Sequence, residues 1–214
     1  KMTKIGALMK KQQGFFRIIR KGQNNMAKKR KFQWLIELLL LIILIFAVRT
    51  FIFGTVTVKG SSMEPNFHHG DFVMVNKLAY HIGTPQRGDI AICWLNSGNR
   101  EEYIIKRVIG LPGDEIDFKI KEDGWDWEYE LYINGKKQEE SYVKEPNYQA
   151  GTVEYPFIVP ENCYFVMGDN RNASTDSREA SIGAIEKSHM KGKVFFRLYP
   201  FDSMTMVKNI EKGR

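Results

Sequence analysis

The apolar positions of this chain follow two patterns, and the first is a single long run at residues 35–53, LIELLLLIILIFAVRTFIF, in which only Glu37, Arg49 and Thr50 are polar. At a helical rise of about 1.5 Å per residue this run spans about 28 Å, close to the hydrocarbon thickness of a bilayer. The pattern predicts one membrane-spanning helix over 35–53. Glu37 and Arg49 sit near its two ends, where side chains reach the interface, and the stretch 38–48 between them is uncharged. A removable secretory signal would be followed by small residues at a cleavage site. Here Arg49, Thr50, Phe51, Ile52 and Phe53 follow instead, so an uncleaved anchor is expected.

After residue 53 the pattern changes. Short alternating or apolar runs, each bounded by turn residues, replace any long stretch of helical period, which argues for an all-β body. Strands are expected at 55–59, 71–77, 89–95, 102–109, 115–120, 127–134, 163–167 and 193–198. Asp123-Gly124 and Asn134-Gly135 read as hairpin turns. Residues 115–161 are rich in Trp, Tyr, Glu and Lys and separate the two regions richest in Gly and Asp, so they read as an insert. The expected fold is mainly β: an antiparallel β-sheet core (54–114 and 162–208) with a small β insert (115–161), preceded by one N-terminal transmembrane helix. A basic segment (1–34) and a short tail (209–214) flank these.

Charge sharpens the picture once it is divided. The chain of 214 residues has a formal charge of +7, but residues 1–34 hold 11 Lys or Arg and no acid, leaving 21 basic against 25 acidic residues elsewhere. A folded body that grips nucleic acid through its own positive surface is therefore disfavoured, and no nucleic-acid partner is expected. The cluster Lys28, Lys29, Arg30 and Lys31 beside the apolar run places the N-terminus in the cytoplasm and everything after residue 53 outside. Cys93 and Cys163 would then face an oxidising compartment, where either a disulfide or two buried thiols is consistent with their apolar surroundings.

The candidate chemistry lies in four segments that place Gly, Pro, Asp, Ser and Arg beside strands. They are GSSMEPNF (60–67), GDFVMVNK (70–77), RGDIAICW with YIIKRVIGLPGD (87–94 and 103–114), and MGDNRNASTDSR (167–178). A serine hydroxyl needs a base to become a nucleophile. The four histidines, His68, His69, His81 and His189, fall in turns, a loop or a charged stretch and read as surface residues, and no ligand cluster suggests a metal. Lysine can serve if burial lowers its pKa from about 10.4 toward neutrality. In an extended strand Lys106 shares a face with Ile104 and Val108, a setting that favours desolvation, while Ile105, Arg107 and Ile109 share the other.

In order and spacing the four segments resemble the boxes of type I signal peptidases, membrane-bound Ser/Lys proteases that cut leader sequences from exported proteins. The resemblance covers most of 48–201, weakens in the insert, and by the insert's shortness is nearer to Gram-positive members. It implies a membrane serine endopeptidase with Ser62 as nucleophile and Lys106 as general base, Ser61 being one residue out of place. It implies that Ser174 orients the lysine amine, that Asp176, Arg178 and Arg107 brace the site by ion pairing, and that the Ser62 N–H with help from the position of Gly60 holds the oxyanion. Some members carry a serine hydroxyl where Gly60 stands, so a backbone donor or water is expected to replace it. Val58, Met63, Val73 and Ile105 fall at positions matching the shallow substrate pockets, with core packing as the alternative. Asn66 stands where Thr is usual, and Asn172-Ala173 replace Asp-Asn. The resemblance implies no cofactor, signal-peptide-bearing preproteins and the lipid bilayer as partners, and a monomer. A narrower alternative is a processing peptidase or assembly factor for pilin-like surface proteins.

Overall fold

Short, alternating runs can bury one face only by pairing with one another, and a computed structural model shows how they do so for residues 33–97, 100–121 and 127–207. The Asp123-Gly124 turn, the basic segment up to residue 32 and the C-terminal tail lie outside the described residues. Residues Gln33–Phe51 form one helix (α1), long and apolar enough to cross a bilayer. It stops two residues short of the expected end because Phe53 already opens a strand, paired with Asn76.

The remaining elements run in chain order as β1 (Phe53–Thr57), β2 (Phe72–Asn76), the four-residue helix α2 (Ala79–Ile82), β3 (Ile90–Ser97), β4 (Arg100–Gly110), β5 (Glu115–Ile120) and β6 (Tyr129–Ile133). They continue with β7 (Lys136–Lys137), β8 (Phe157–Ile158), β9 (Cys163–Met167), β10 (Ile185–Glu186), β11 (Met190–Tyr199) and β12 (Thr205–Met206). Among the described residues these form an antiparallel sheet of order β1-β2-β11-β3-β4-β9-β10, with β12 on β11, and a second sheet of order β7-β6-β5-β8. The fold is thus mainly antiparallel β, as the periodicity predicts.

The expected strands all appear, those at 115–120 and 163–167 with the expected ends and the others with shifted ones. The strand expected at 55–59 runs two residues earlier as β1, because its partner β2 begins only at Phe72. The strand expected at 193–198 extends to Met190–Tyr199 because it lies between β2 and β3 and pairs with both. The two-residue strands β7, β8, β10 and β12 are too short to leave a period. Asn134-Gly135 forms the hairpin turn between β6 and β7, both residues having positive φ (52° and 73°).

Alternation places side chains on both faces of the larger sheet. Ile90, Ile92 and Ile105 join one buried cluster with Val58, Met63 and Val73. Ala91, Cys93 and Val108 join the opposite one, with Ile104 packed against it. Each fully buried aliphatic side chain contributes about 1.5–3 kcal/mol, so a one-residue slip of β4, which would exchange its two faces, is strongly opposed. The register of β4 is what decides the environment of Lys106. The insert shares a third cluster with the main sheet, in which Ile116, Phe118 and Leu131 meet Ile109, Phe165 and Met167. Both cysteines are free thiols, and burial pushes the Cys93 thiol up to about 12.

Candidate active site

Ser62 lies in the turn that joins β1 to β2. Two buried side chains hold this turn from below, Met63 (1% exposed) and Phe67 (4%), one helical turn apart and linked by the hydrogen bond from Phe67 N–H to the Met63 carbonyl at 2.9 Å. Ser62 itself is half-buried, and Ser61 is exposed.

Lys106 comes from the middle of β4, where it is 4% exposed. Its partner across β3 is Ala91, and with Arg107 paired to Met167 the next position along the β9 side is Gly168. Small neighbours on both sides leave a lane for the lysine stem. The amine ends 2.8 Å from the Ser62 hydroxyl oxygen, hydrogen-bonded to it. Burial is the largest influence on Lys106 and lowers its pKa; the charge of Asp176 opposes this and that of Arg178 adds to it. Asp176 is itself paired with Arg178, whose charge offsets part of its pull on a lysine proton.

Residues 168–178 form the third wall, closed by Asp176 and Arg178, both 2% exposed or less. The Asp176 carboxylate accepts hydrogen bonds from Arg178 Nε (2.8 Å) and Nη2 (3.0 Å), from the Gly168 N–H (3.0 Å) and from the Ser174 hydroxyl (2.7 Å). Burial pushes this carboxyl up, but these bonds and the Arg178 charge outweigh it and hold its pKa below the ordinary 3.8. A carboxyl so depressed adds stability above its unfolded pKa that is lost as pH falls through the folded value. Asp176→Asn leaves the Arg178 guanidinium buried without its counter-charge, and is expected to lower stability by about 3–5 kcal/mol at neutral pH. Thermal unfolding of the full chain in detergent checks this. A variant as stable as the parent would show that Asp176 does not brace the loop.

Two expected contacts differ in the structure. Ser174 donates to Asp176 at 2.7 Å, and no hydrogen bond joins its hydroxyl to the Lys106 amine, which is bonded to Ser62. The Gly60 N–H is taken by His69 Nδ1 at 3.2 Å, since a φ of +83° turns that peptide toward residue 69. Arg107 does form an ion pair, and its partner is Asp169, reached in a two-pronged contact at 2.7 and 2.6 Å. Its guanidinium also lies 4.3 Å from the centre of the Tyr142 ring and donates to the Gly88 carbonyl at 3.0 Å. Val58, Met63, Val73 and Ile105 come together in one cluster, each 7% exposed or less, so they are core residues that leave almost no open surface.

Sequence reasoning missed four residues that hold this arrangement. Asp169 and Asn170 stand inside the MGDNR segment, where an acid beside the motif arginines was the available signal. Tyr142 and Asn147, which accepts from Arg178 Nη1 at 3.1 Å, come from the insert and carry no local signal at all.

Chemically, a buried amine of lowered basicity in contact with a hydroxyl is a general-base pair, and an amine held neutral can accept the serine proton. The profile of a family described as signal peptidase, peptidase S26, matches residues 31–199. Signal peptidase I of Bacillus licheniformis is 36% identical over 83% of this chain and 93% of its own. Signal peptidase I S of Bacillus subtilis (strain 168) is 37% identical over 86% of this chain and 97% of its own. A crystal structure of a signal peptidase I from Enterococcus faecalis V583 is 32% identical, covers 51% of this chain and 95% of its own, and superposes with a TM-score of 0.39.

Proposed function

The chain belongs to the signal peptidase family, peptidase S26, and is therefore a serine peptidase that cleaves signal peptides; from that premise we propose that it is a single-pass membrane enzyme working through a Ser62/Lys106 dyad. The observation that carries the dyad is the 2.8 Å contact between a buried amine and a half-buried hydroxyl. Neutral Lys106 takes the Ser62 proton as Oγ attacks the scissile carbonyl. The tetrahedral intermediate collapses, the amine of the mature protein leaves with the proton from Lys106, and an acyl-enzyme on Ser62 remains. Water, deprotonated by the same amine, then releases the signal peptide.

The Ser62 backbone N–H is the proposed donor to the oxyanion. Gly60 brings no side chain and its N–H is engaged by His69, so a second donor at that position requires this hydrogen bond to open or a water to bind. The leader's backbone would add as a further strand to a sheet edge.

The positive-inside rule supports an orientation with residues 1–34 in the cytoplasm and the β body outside, in the cell membrane. The anchor would hold Ser62, nine residues beyond Phe53, near the surface where a membrane-held leader emerges. The test is incubation of the detergent-solubilised full chain with one labelled preprotein, followed by sequencing of the new N-terminus. A single cut that follows small residues at the first and third positions before the bond is expected. An uncut preprotein would overturn the assignment. In intact cells, protease added outside should digest the β body and spare the N-terminal segment; the reverse pattern would refute the orientation.

A further inference from the structure

The Ser62 hydroxyl and the Lys106 amine belong to different parts of the fold. Lys106 is fixed by the sheet, whereas Ser62 sits in a turn of which Ser61 is exposed. A turn of that kind does not hold a hydroxyl to a fraction of an ångström by its own backbone bonds, of which the one at Ser61 is the Glu64 N–H to its carbonyl, at 3.1 Å. Something else fixes it. Asn170, 3% exposed, approaches the serine pair with two donors. Its backbone N–H donates to the Ser62 carbonyl at 3.0 Å, and its side-chain Nδ2 donates to the Ser61 carbonyl at 3.2 Å. We propose that Asn170 is a positioning residue for the nucleophile, clamping two successive carbonyls so that the Ser62 hydroxyl stays within reach of Lys106. The proposal rests on the reading of Ser62 as the nucleophile.

The mount itself is rigid. Asp169, on one side of Asn170, is held in the two-pronged contact with Arg107 and also accepts from Asn66 Nδ2 at 2.9 Å. Arg171, on the other side, is buried and bound to Glu140, with Nη2 2.6 Å from Oε1. Gly168 lies so close that a Cβ there would meet both the Ser62 carbonyl and the Ser174 side chain. Residues 168–171 therefore grip the nucleophile turn at Ser61 and Ser62 and again at Asn66. Because β9 ends at Met167 and pairs with β4, this grip and the position of Lys106 share one origin. The side-chain orientation of Asn170 is determined by chemistry, since a carbonyl only accepts and Nδ2 must face Ser61. An aspartate of the same size would turn an oxygen toward it.

The test uses the full chain in detergent, with active sites counted by a small activated ester that acylates the nucleophile. Single-turnover cleavage of a preprotein is then measured per counted site. For Asn170→Ala and Asn170→Asp the cleavage rate per site is expected to fall about 10- to 100-fold, the scale of a misplacement near 1 Å. KM should stay close to that of the parent. For Asn170→Ala the acid limb of the pH profile should not move, because Lys106 keeps its burial and gains no charged neighbour. A parental rate per counted site overturns the proposal, since the residue would then serve folding alone. So does an acid limb that moves in Asn170→Ala, which would mean that Asn170 acts through Lys106. A variant with neither countable sites nor a cooperative unfolding transition also assigns Asn170 to folding. Failure of the premise looks different: the ester would label Ser62→Ala as fast as the parent.

Discussion

Cleavage of a preprotein by the Ser62→Ala variant is expected to fall by about 10⁴-fold or more, with folding and membrane integration unchanged. The substitution removes one half-buried oxygen and nothing that the core depends on. Met63 and Phe67 still anchor the turn, and Asn170 still holds the carbonyls of residues 61 and 62. Loss of activity therefore reads on chemistry and not on structure. Ser61 does not substitute, because it is exposed and one residue out of place, while the lysine contact is made by residue 62. The measurement is appearance of the mature N-terminus, with thermal unfolding of both proteins as the control. Processing by Ser62→Ala at the parental rate would remove Ser62 from the mechanism.

Lys106→Met is expected to lose about 10³-fold or more in cleavage, the upper range for a general base, while being at least as stable as the parent at neutral pH. Methionine fills the lane between Ala91 and Gly168 with an apolar chain of similar length, and no buried amine remains to be desolvated. In the parent, activity requires the neutral amine. The rate should therefore rise with pH through a value below the ordinary 10.5 of lysine, and fall as the amine is protonated on the acid side. The stability effect has the same direction. Between the lowered folded pKa and the unfolded value the unfolded chain binds more protons, so stability rises with pH across that window. The Met variant should lack this slope. A stable Lys106→Met protein that still processes preprotein, or a parent whose activity follows the ordinary lysine pKa, would remove Lys106 as the base.

The residues that could be read in advance share a property. Lys106 between Ile104 and Val108, and the alternation in Phe72–Asn76 that buries Val73 and Val75, are consequences of neighbours one or two positions away. The motif segments announced Ser62, Asp176 and Arg178 because their resemblance to a family depends on order along the chain. Where each side chain points was not legible in the same way. Ser174 turned to Asp176 instead of Lys106, the Gly60 N–H went to His69, and the four proposed pocket residues proved to be core. Each outcome was a competition between partners that come from different segments.

What the sequence determined by itself, then, was the long apolar helix, the β period and the set of reactive residue types, because hydrophobic periodicity and backbone sterics act locally. What only the tertiary structure decided was which groups meet. Arg107 finds Asp169 across 62 positions, Asn170 reaches Ser61 across 109, and Asn66 meets the Tyr142 carbonyl across 76. These encounters follow from a sheet order that sets β11 between β2 and β3 and β9 beside β4. No local pattern carries that order, since it is selected by the joint burial of three clusters and by the need of each buried charge for a partner.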